Sequence, residues 1–456
     1  MTLTAFFEAR SIAVIGASKD PSKIGHIILK GLIDAGFAGP IYPINLHEPE
    51  ILTLKAYPSV RAVKEKIELA VLSVPAAAVL DVVEDCGRKG ITSLIIISSG
   101  FGEIGDKALE TRLLQRLRKY RIRAIGPNCL GTLNPRSKLD TVFLPPERLP
   151  RPQPGSISFL CQSGAVASTL LDLMAYQGYG IAKFASYGNA VDVDESDLLE
   201  YLGKDKDTKV ICIYIEGLKD GKKFLRIAQN VAKRKVIIAL KGGLSDAGSQ
   251  ATLSHTGSLA GSGEVYLGAF RQTGIIHAST LEEMLSYAKI FEKSQKPKGN
   301  RVQIITDGGG YGILTTDAVI REGLRMAQME KKTRTLLQKK FPPITIIKNP
   351  IDLAGDADTF RYRTAIEACL NDKNIDIILV ILLYQPPKVT EDVIEAVIQL
   401  HNTKKKPIIV TSTGGAVTEK FIRMLQDAGV PCFPFPEQAV KAIKQLTFRY
   451  TKQTFK

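Results

Sequence analysis

The sequence predicts an α/β protein built from three doubly wound domains, and three observations support this prediction. Short runs rich in β-branched residues alternate with segments of helical periodicity along the chain. The length of 456 residues suits about three domains. Two polar segments that contain Pro or Gly, residues 144–155 and 293–300, interrupt the alternation. The predicted domains are therefore residues 1–145, 155–293 and 300–456.

The first domain is predicted to be Rossmann-like. Residues 11–15 (SIAVI) have the pattern of a buried strand, and the apolar spacing of residues 24–33 is typical of a helix. Five prolines between residues 144 and 155 cannot continue a helix or a central strand, so the domain is expected to end near Pro145. Its further strands are predicted at residues 39–44, 69–73, 93–98 and 122–125.

The same alternation continues after each interruption and predicts two more α/β domains. Strands of the second domain are predicted at residues 156–160, 181–185, 210–215 and 236–240. Strands of the third domain are predicted at residues 302–305, 376–383 and 407–411.

Composition and charge exclude several classes of protein. The chain has no apolar run near the roughly 20 residues of a membrane span and no signal peptide pattern, so we expect a cytoplasmic protein that does not bind membranes. The six cysteines and five histidines lack CxxC and HxxxH spacing, which predicts reduced thiols and no metal site. The net charge of +15 is spread over clusters without interleaved aromatic residues, which disfavours nucleic-acid binding but suits ligands such as phosphates and coenzyme A.

The turn after the first strand has features of a phosphate site. Gly16 and Ser18 precede a predicted helix, whose free N–H groups and dipole attract a pyrophosphate. The turn lacks the GxGxxG pattern, and Asn45 ends the second strand, where an NAD site needs Asp or Glu. The pattern favours a phosphate-bearing nucleotide other than NAD, and a tight strand–helix connection is the alternative. Pro75 and Ser98 follow further strands and are expected at the same edge of the sheet.

Two other turns follow predicted strands. Residues 125–131 (IGPNCLG) either line a thiol or carboxylate site or form a structural loop. Ser163 and Gly164 open a predicted helix and suit a bound anion. A serine nucleophile is the alternative at Ser163, but the GxSxG pattern is absent, so phosphate binding is favoured. A similar glycine-rich turn opens the third domain at residues 308–310.

Residues 246–262 surround His255 with small and polar residues, after a predicted strand and before a predicted helix. A lone histidine is usually a packed or surface residue, but Ser254 and Thr256 offer no apolar face to pack the ring. A loop that holds one nucleophilic imidazole beside phosphate-binding turns suggests covalent phosphorylation of nitrogen. Glu216 ends a predicted strand and either orients this ring through its second nitrogen or is only a strand-end acid.

These motifs together resemble those of one family. GAS…KIG, IGPNCLG, QSGA, DVDESDLLEYL (residues 192–202) and SHTGSLAG (residues 254–261) follow one another over essentially the whole chain. In this order they are similar to the α subunit of archaeal-type ADP-forming acetyl-CoA synthetases, also called NDP-forming acyl-CoA synthetases, which are relatives of succinyl-CoA synthetase. The resemblance implies a CoA-binding Rossmann-like domain followed by two succinyl-CoA-synthetase-like domains of flavodoxin type. The second domain would carry the phosphohistidine, and the third would be CoA-ligase-like.

The resemblance also implies a reaction and the residues that perform it. Acyl-CoA, ADP and phosphate would be converted reversibly to a carboxylate, ATP and CoA through an acyl phosphate and a phosphohistidine. His255 would take the phosphoryl group, and Glu216 would orient and stabilise it. The residues expected to contact CoA are Gly16, Ser18, Lys23, Gly25, Asn45, Pro75 and Ser98. The residues expected to hold phosphate are Ser163, Gly164, Gly308, Gly309 and Gly310.

The nucleotide site of this family lies in an ATP-grasp domain, and no segment of the sequence matches one. The resemblance therefore implies a separate ATP-grasp β subunit in an α2β2 assembly, with Mg bound there together with ADP or ATP.

Four residues depart from the family pattern. Asp307 in the third-domain turn, where relatives usually carry Asn, suggests a second hypothesis, a non-catalytic CoA-binding or CoA-sensing homologue. Tyr311, Ala190 and Leu244 also depart, which bears on acyl specificity and rate. A third hypothesis, an NAD-dependent oxidoreductase, is disfavoured by Asn45 and the missing GxGxxG.

Overall fold

The computed structural model describes residues 3–250 and 262–451. The chain divides into two compact units, residues 1–281 and 282–456. The first unit contains two large sheets and a two-stranded hairpin, and the second unit contains one large sheet. No helix within the described residues is long and apolar enough to cross a membrane.

The first sheet confirms the predicted α/β pattern, because all five predicted strands are present and parallel. Its strands are β1 (Ile12–Ile15), β2 (Ile41–Ile44), β5 (Leu69–Leu72), β6 (Ser93–Ile96) and β7 (Arg123–Ile125), and a separate hairpin is formed by β3 (Glu50–Ile51) and β4 (Leu54–Lys55). The strand order is β2-β1-β5-β6-β7. Every residue of β1 is buried, since parallel sheets are covered on both faces, and this explains its unbroken apolar sequence. The accompanying helices are α1 (Ala5–Glu8), α2 (Ile24–Asp34), α3 (Ala76–Lys89) and α4 (Lys107–Lys119).

The second sheet is mixed. Its strands are β8 (Gly131–Asn134), β9 (Leu139–Asp140), β10 (Pro154–Cys161), β11 (Ile181–Ser186), β12 (Val210–Ile215), β13 (Val236–Lys241) and β14 (Ile276–His277). In the order β14-β13-β12-β10-β11-β8-β9, the first five strands are parallel, whereas β8 is antiparallel to both of its neighbours. The β8–β9 hairpin precedes the predicted end of the first domain at residue 145, yet it pairs with the second sheet.

Buried hydrogen bonds tie the chain start to this hairpin. The Thr132 hydroxyl donates to the Phe6 carbonyl at 2.8 Å, and the Asn134 amide donates to the Phe7 carbonyl at 3.0 Å. One buried apolar cluster contains residues of both sheets, such as Val14 and Ile213. The two sheets therefore share a core, which is why they form one unit.

The helices that accompany the second sheet are α5 (Gly164–Tyr176), α6 (Glu195–Lys204), α7 (Gly221–Ala232) and α8 (Gly263–Thr273). Residues 246–250 are also helical, so the prediction of a loop over residues 246–262 is wrong for this part. The hydroxyl of Ser245 accepts the N–H of Gly248 at 3.1 Å, and its carbonyl accepts the N–H of Ser249 at 2.7 Å. Ser245 thus caps a helical turn that the small, polar sequence did not indicate.

The second unit is built on the third sheet. Its strands are β15 (Arg301–Thr306), β16 (Arg325–Met326), β17 (Ile346–Ile347), β18 (Ile351–Asp352), β19 (Ile377–Ile381), β20 (Ile408–Thr411) and β21 (Cys432–Phe433). The order is β17-β18-β15-β19-β20-β21 with β16 beside β15, and only the β17–β18 pair is antiparallel. Its helices are α9 (Leu281–Lys293), α10 (Gly309–Arg321), α11 (Lys331–Lys340), α12 (Thr359–Asn371), α13 (Glu391–Asn402), α14 (Ala416–Asp427) and α15 (Pro436–Thr451).

Helix α9 lies within the predicted second domain (155–293), but it packs on the last helix of the second unit. The rings of Phe291 and Tyr450 meet edge to face with centroids 6.1 Å apart. The Lys441 ammonium lies 3.0 Å from the Glu283 carboxylate. These contacts explain why the two compact units separate at residue 281 rather than at residue 293.

Candidate functional site

The strand order of the first sheet brings the predicted CoA residues to one edge. Gly16 directly follows β1 and Asn45 directly follows β2, whereas two residues separate Pro75 from the end of β5 and one residue separates Ser98 from the end of β6. These four strands are neighbours in the sheet and run parallel. Their carboxyl ends therefore form a continuous rim, the usual place for ligands of open α/β sheets.

Two glycines allow the first turn to form at this edge. Gly16 has φ +88°, and a Cβ there would lie 2.7 Å from the Ser73 carbonyl oxygen. A Cβ at Gly25 would lie 2.0 Å from the carbonyl oxygen of Gly16. Only glycine at both positions lets the start of α2 approach the end of β1 so closely. Ser18 is half-buried in this turn, and its hydroxyl accepts the Asp20 N–H at 3.1 Å.

Several polar side chains at this edge brace the turn itself. The Asn45 amide donates to the Ala17 carbonyl at 2.8 Å, and its oxygen accepts the N–H groups of His47 and Glu48 at 2.8 and 3.0 Å. The Ser98 hydroxyl donates to the Val74 carbonyl at 2.5 Å. Asn45 and Ser98, predicted as CoA contacts, thus shape the edge, whereas Lys23 is exposed at the start of α2.

A cavity of about 720 Å³ lies within the first unit. The first-sheet side contributes Ile24, Ile97 and Ser99, which are sequence neighbours of the predicted CoA residues. The second-sheet side contributes residues 162–165, after β10, and residues 216–219, after β12. The structure therefore brings Ser163, Gly164 and Glu216 together beside the first-sheet edge. The sequence motifs, taken separately, could not show that these residues are neighbours.

The start of α5 offers an anion site on the cavity wall. Ser163 is the N-cap, and its hydroxyl accepts the N–H of Val166 at 3.5 Å. Gly164 and Ala165 are the first two residues of the helix, so their N–H groups have no acceptor within it. Free N–H groups and the positive end of the helix dipole favour a phosphate at this point.

Glu216 stands at the end of β12 and is buried, with 6% of its surface exposed. Its backbone N–H and that of Gly217 donate to the side-chain oxygen of Gln162 at 2.8 and 3.2 Å. Gln162 therefore fixes the Glu216 strand end beside the α5 turn. Burial, together with the Glu216 charge, raises the pKa of Tyr214 to about 12, so this phenol stays neutral.

The IGPNCLG loop also lines the cavity, through Asn128, Cys129 and Leu130. The Cys129 thiol donates to the Ile96 carbonyl at 3.3 Å, and burial raises its pKa to about 12. The thiol is therefore a structural group rather than a nucleophile. The Asn128 amide donates to the Asn189 side-chain oxygen at 3.2 Å, which joins this loop to the one after β11.

Two carboxylates on the first-sheet side were not singled out from the sequence. The Asn189 amide donates to Glu103 at 2.6 Å and to Glu110 at 2.7 Å. All three residues line the cavity. The three residues are up to 86 positions apart along the chain, so no local sequence pattern indicated that they interact. Asn189 lies beside Ala190, which departs from the family pattern.

Glu195 is a further residue that the sequence did not single out. It is the first residue of α6, is 1% exposed and lines the cavity. Burial raises the pKa of Glu195 to about 7. A glutamate in the first turn of a helix usually faces water, so the DVDESDLLEYL motif alone could not reveal a buried acid.

His255 lies outside the described residues. The described residues on either side of its segment meet, because a Cβ at Gly263 would lie 2.6 Å from the Leu244 carbonyl oxygen. In α8, the Tyr266 hydroxyl accepts the N–H of Leu218 at 3.1 Å, and Leu218 lines the cavity. The flank of the His255 segment is thus joined to the cavity wall.

The predicted phosphate turn of residues 308–310 belongs to the second unit. The Thr306 hydroxyl accepts the Gly308 N–H at 2.9 Å, and α10 begins at Gly309. Asp307 is 4% exposed, and burial raises its pKa to about 6. Its carboxylate accepts the Leu383 N–H at 3.3 Å.

Within the described ranges, no group of three or more His, Cys, Asp or Glu residues could hold a metal ion.

Three family models match the chain in the predicted order. A CoA binding domain matches residues 10–135, a succinyl-CoA ligase like flavodoxin domain matches residues 154–291, and a ligase-CoA domain matches residues 302–455.

Relatives and solved structures match over nearly the whole chain. The α subunit of acetate–CoA ligase [ADP-forming] I of Pyrococcus furiosus is 39% identical over 460 residues, covering 99% of this chain and 98% of the relative. The acetate–CoA ligase [ADP-forming] of Methanocaldococcus jannaschii is 40% identical over 449 residues, which are 97% of this chain and 62% of the relative. A solved structure of the dinucleotide forming acetyl-coenzyme A synthetase 1 of Ca. Korarchaeum cryptofilum, in complex with phosphate and ADP, has a TM-score of 0.93 at 35% identity and covers 99% of this chain and 97% of that one. The chain therefore belongs to the family of ADP-forming acetate–CoA ligase α subunits.

Proposed function

We propose that the chain is the α subunit of an ADP-forming acyl-CoA synthetase, with acetyl-CoA as the expected substrate. The enzyme would convert acyl-CoA, ADP and phosphate reversibly to a carboxylate, ATP and CoA, through an acyl phosphate and a phosphohistidine at His255. One observation carries this proposal. A single cavity is lined by the Ser163–Gly164 helix start, by Glu216 and by neighbours of the predicted CoA edge.

The first-sheet edge fits coenzyme A. Gly16 and Gly25 keep the turn after β1 tight, because a Cβ at either position would collide with backbone atoms, and such a turn is typical of a site for a ligand with a pyrophosphate. The exposed ammonium group of Lys23 lies at the start of α2, where it adds positive charge. CoA supplies the thiol that carries the acyl group. The neighbours of this edge, Ile24 and Ile97, line the cavity, which suits delivery of a thioester to it.

The chain's own residues would then perform the chemistry in the cavity. The N–H groups at the start of α5 hold the phosphate next to the thioester. His255 accepts the phosphoryl group from the acyl phosphate, since an imidazole nitrogen is a competent nucleophile. Glu216 would accept the N–H of the other ring nitrogen and so fix the tautomer that exposes the reactive one. The non-catalytic alternative is disfavoured, because the cavity keeps each of these described groups.

We assign ADP or ATP and their Mg to a separate ATP-grasp β subunit in an α2β2 assembly. The relatives support this division. The Pyrococcus furiosus relative has nearly the length of this chain and is itself named a subunit alpha, whereas this chain spans 62% of the longer Methanocaldococcus jannaschii relative. All six cysteines are free and buried, which suits the reducing cytosol in which we place the protein.

The proposal is tested by labelling the purified chain with acetyl-CoA and radioactive phosphate. We expect a label that is stable to base and labile to acid, and its complete loss in His255→Ala. His47→Ala is the matched control and should keep the label, because His47 is exposed, lies outside the cavity and supports the first-sheet edge through its backbone N–H, which alanine retains. A label that persists in His255→Ala would contradict the proposal. So would the absence of any label in wild type when a family β subunit and a panel of acyl-CoA thioesters are added.

A further inference from the structure

We propose that Glu195 is the group that carries the proton from phosphate to the CoA thiolate when phosphate attacks the acyl-CoA thioester. This inference rests on the proposed function and adds a catalytic residue to it. Glu195 lines the same cavity as Ser163, Gly164 and Glu216.

Glu195 is not needed to cap its helix. The N-cap of α6 is Asp194, whose carboxylate accepts the N–H of Asp197 at 2.9 Å. Glu195 is 1% exposed, and its Oε1 has no hydrogen-bond partner among the described residues. Burying an unsatisfied carboxyl oxygen costs folding free energy, so its position at the cavity calls for another reason.

The charged and titratable groups around Glu195 are engaged elsewhere. Lys223 pairs with Asp194 at 2.9 Å and with Asp197 at 2.6 Å. The Lys219 ammonium donates to the Ala190 carbonyl at 2.6 Å. These two cations lower the pKa of Glu195, but burial is the larger effect and Asp194 acts in the same direction as burial.

Two phenols, Tyr187 and Tyr266, interact electrostatically with Glu195, and Glu216 lines the same cavity. The Tyr187 hydroxyl donates to the Tyr214 carbonyl at 3.2 Å, and burial raises the pKa of Tyr187 well above its usual range. The Tyr266 hydroxyl accepts the N–H of Leu218, and burial raises its pKa as well. Both phenols therefore stay neutral, and Glu216 is assigned to the imidazole. Glu195, with a pKa of about 7, is the remaining cavity acid on this side that can both take and give a proton near neutral pH.

The step balances with this one group. An oxygen of HPO4²⁻ bonds to the thioester carbon while the carbon–sulfur bond breaks, and the sulfur leaves as a thiolate. The phosphate hydroxyl loses its proton to the Glu195 carboxylate, which passes it to the thiolate. The products are the acyl phosphate and CoA–SH, and Glu195 returns to its ionised form. No proton is needed when His255 takes the phosphoryl group from a preformed acyl phosphate.

This difference supplies the test. Wild type and Glu195→Gln are labelled at His255 by two routes, with acetyl-CoA plus radioactive phosphate and with radioactive acetyl phosphate. We expect the first route to slow by about 100-fold or more in Glu195→Gln and the second to proceed at the wild-type rate. Glu200→Gln, an exposed acid on the same helix, is the matched control and should leave both routes unchanged.

The pH profile gives an independent readout. The wild-type rate from acetyl-CoA plus phosphate should fall as the pH falls below about 7, because both the Glu195 carboxylate and HPO4²⁻ are then protonated. The residual rate of Glu195→Gln should fall less steeply, because only the protonation of phosphate remains. Equal slowing of both routes would show a structural role and overturn the inference, as would an unchanged first route. Failure of wild type by both routes would instead overturn the proposed function. A thermal unfolding midpoint close to wild type checks that Glu195→Gln is folded.

Discussion

Two helix starts in this chain share a backbone plan and differ in charge. Helix α5 has the N-cap Ser163 and α10 has the N-cap Gly308, and each follows a parallel strand. The residue before the N-cap is Gln162 in the first unit and Asp307 in the second. Both side chains accept backbone N–H groups, but Gln162 is neutral and Asp307 is a buried acid.

The two helix starts have the same backbone geometry but differ in the charge beside the predicted phosphate position. Glycines and small residues give both helices an accessible N-terminus with the same dipole. A phosphate bound at α5 would lie near the neutral amide of Gln162, whereas a phosphate bound at α10 would lie near Asp307. Burial raises the pKa of Asp307, and the charge of Asp352 raises it further. We therefore expect the α5 turn to bind phosphate at neutral pH. The predicted phosphate role of Gly308, Gly309 and Gly310 requires Asp307 to be protonated.

The largest effect is expected when the second turn is made neutral. In the folded chain the pKa of Asp307 is about 6, against 3.8 ordinarily, so the folded state holds this proton more tightly than the unfolded chain does. Wild type should lose stability relative to Asp307→Asn as the pH rises from about 4 to 6, and the difference should stay constant above that range. At pH 8 Asp307→Asn is expected to be more stable by up to about 3 kcal/mol.

Thermal unfolding of both proteins between pH 4.5 and 8 measures this difference. Asp317→Asn, an exposed position on α10, is the control and should show no such pH dependence. The same gain in stability at both ends of the pH range would refute the charge difference between the turns.

A smaller effect is expected when the first turn is made acidic. In Gln162→Glu, a carboxylate oxygen can still accept the N–H groups of Glu216 and Gly217, so the backbone should be preserved. The added charge should raise the KM for phosphate by roughly tenfold, about 1.4 kcal/mol, in acetyl-CoA-dependent labelling. Gln229→Glu adds the same charge at an exposed position on α7 and should leave this KM unchanged. An unaltered KM in Gln162→Glu would place the phosphate elsewhere.

The smallest effect concerns the space around the two helix starts. A Cβ at Gly309 would lie 3.0 Å from the Asp352 carboxylate, whereas a Cβ at Gly164 would meet only Leu130, at 3.9 Å. Gly309→Ala should therefore lower the free energy of unfolding by about 1 kcal/mol. Gly164→Ala should leave it unchanged or raise it by about 0.5 kcal/mol. Urea unfolding of the two variants distinguishes these outcomes, and equal changes would show that Asp352 does not restrict the second turn.

The parallel part of the fold could be predicted because its signals are local. Each strand of the first sheet reads as an apolar run, and each is followed by a turn and a helical segment. The β8–β9 hairpin could not be assigned to its sheet, since its pairing with β11 joins residues about 50 positions apart. The same limit applies to α9, whose partner Tyr450 lies near the far end of the chain.

The residues of the candidate site were likewise only partly predictable from the sequence. Ser163, Gly164 and Glu216 were predictable from small residues at helix starts and an acid at a strand end, and the cavity brings them together. Glu195 was not, because burial rather than residue type gives it a pKa of about 7. Asn45 was predicted as a ligand contact, but its side chain braces the turn, a role that depends on the distance between two neighbouring strands.

In the proposed reaction, phosphate binds at the α5 turn and its phosphoryl group is transferred to the imidazole of His255. The most direct measurement is mass-spectrometric location of the phosphoryl group after reaction with acetyl-CoA and phosphate, with digestion at a pH above neutral to preserve phosphohistidine. We expect modification of the peptide that contains residues 254–261, at His255. A phosphoryl group on Ser163 would contradict it, because that residue would then be a nucleophile rather than part of the phosphate site.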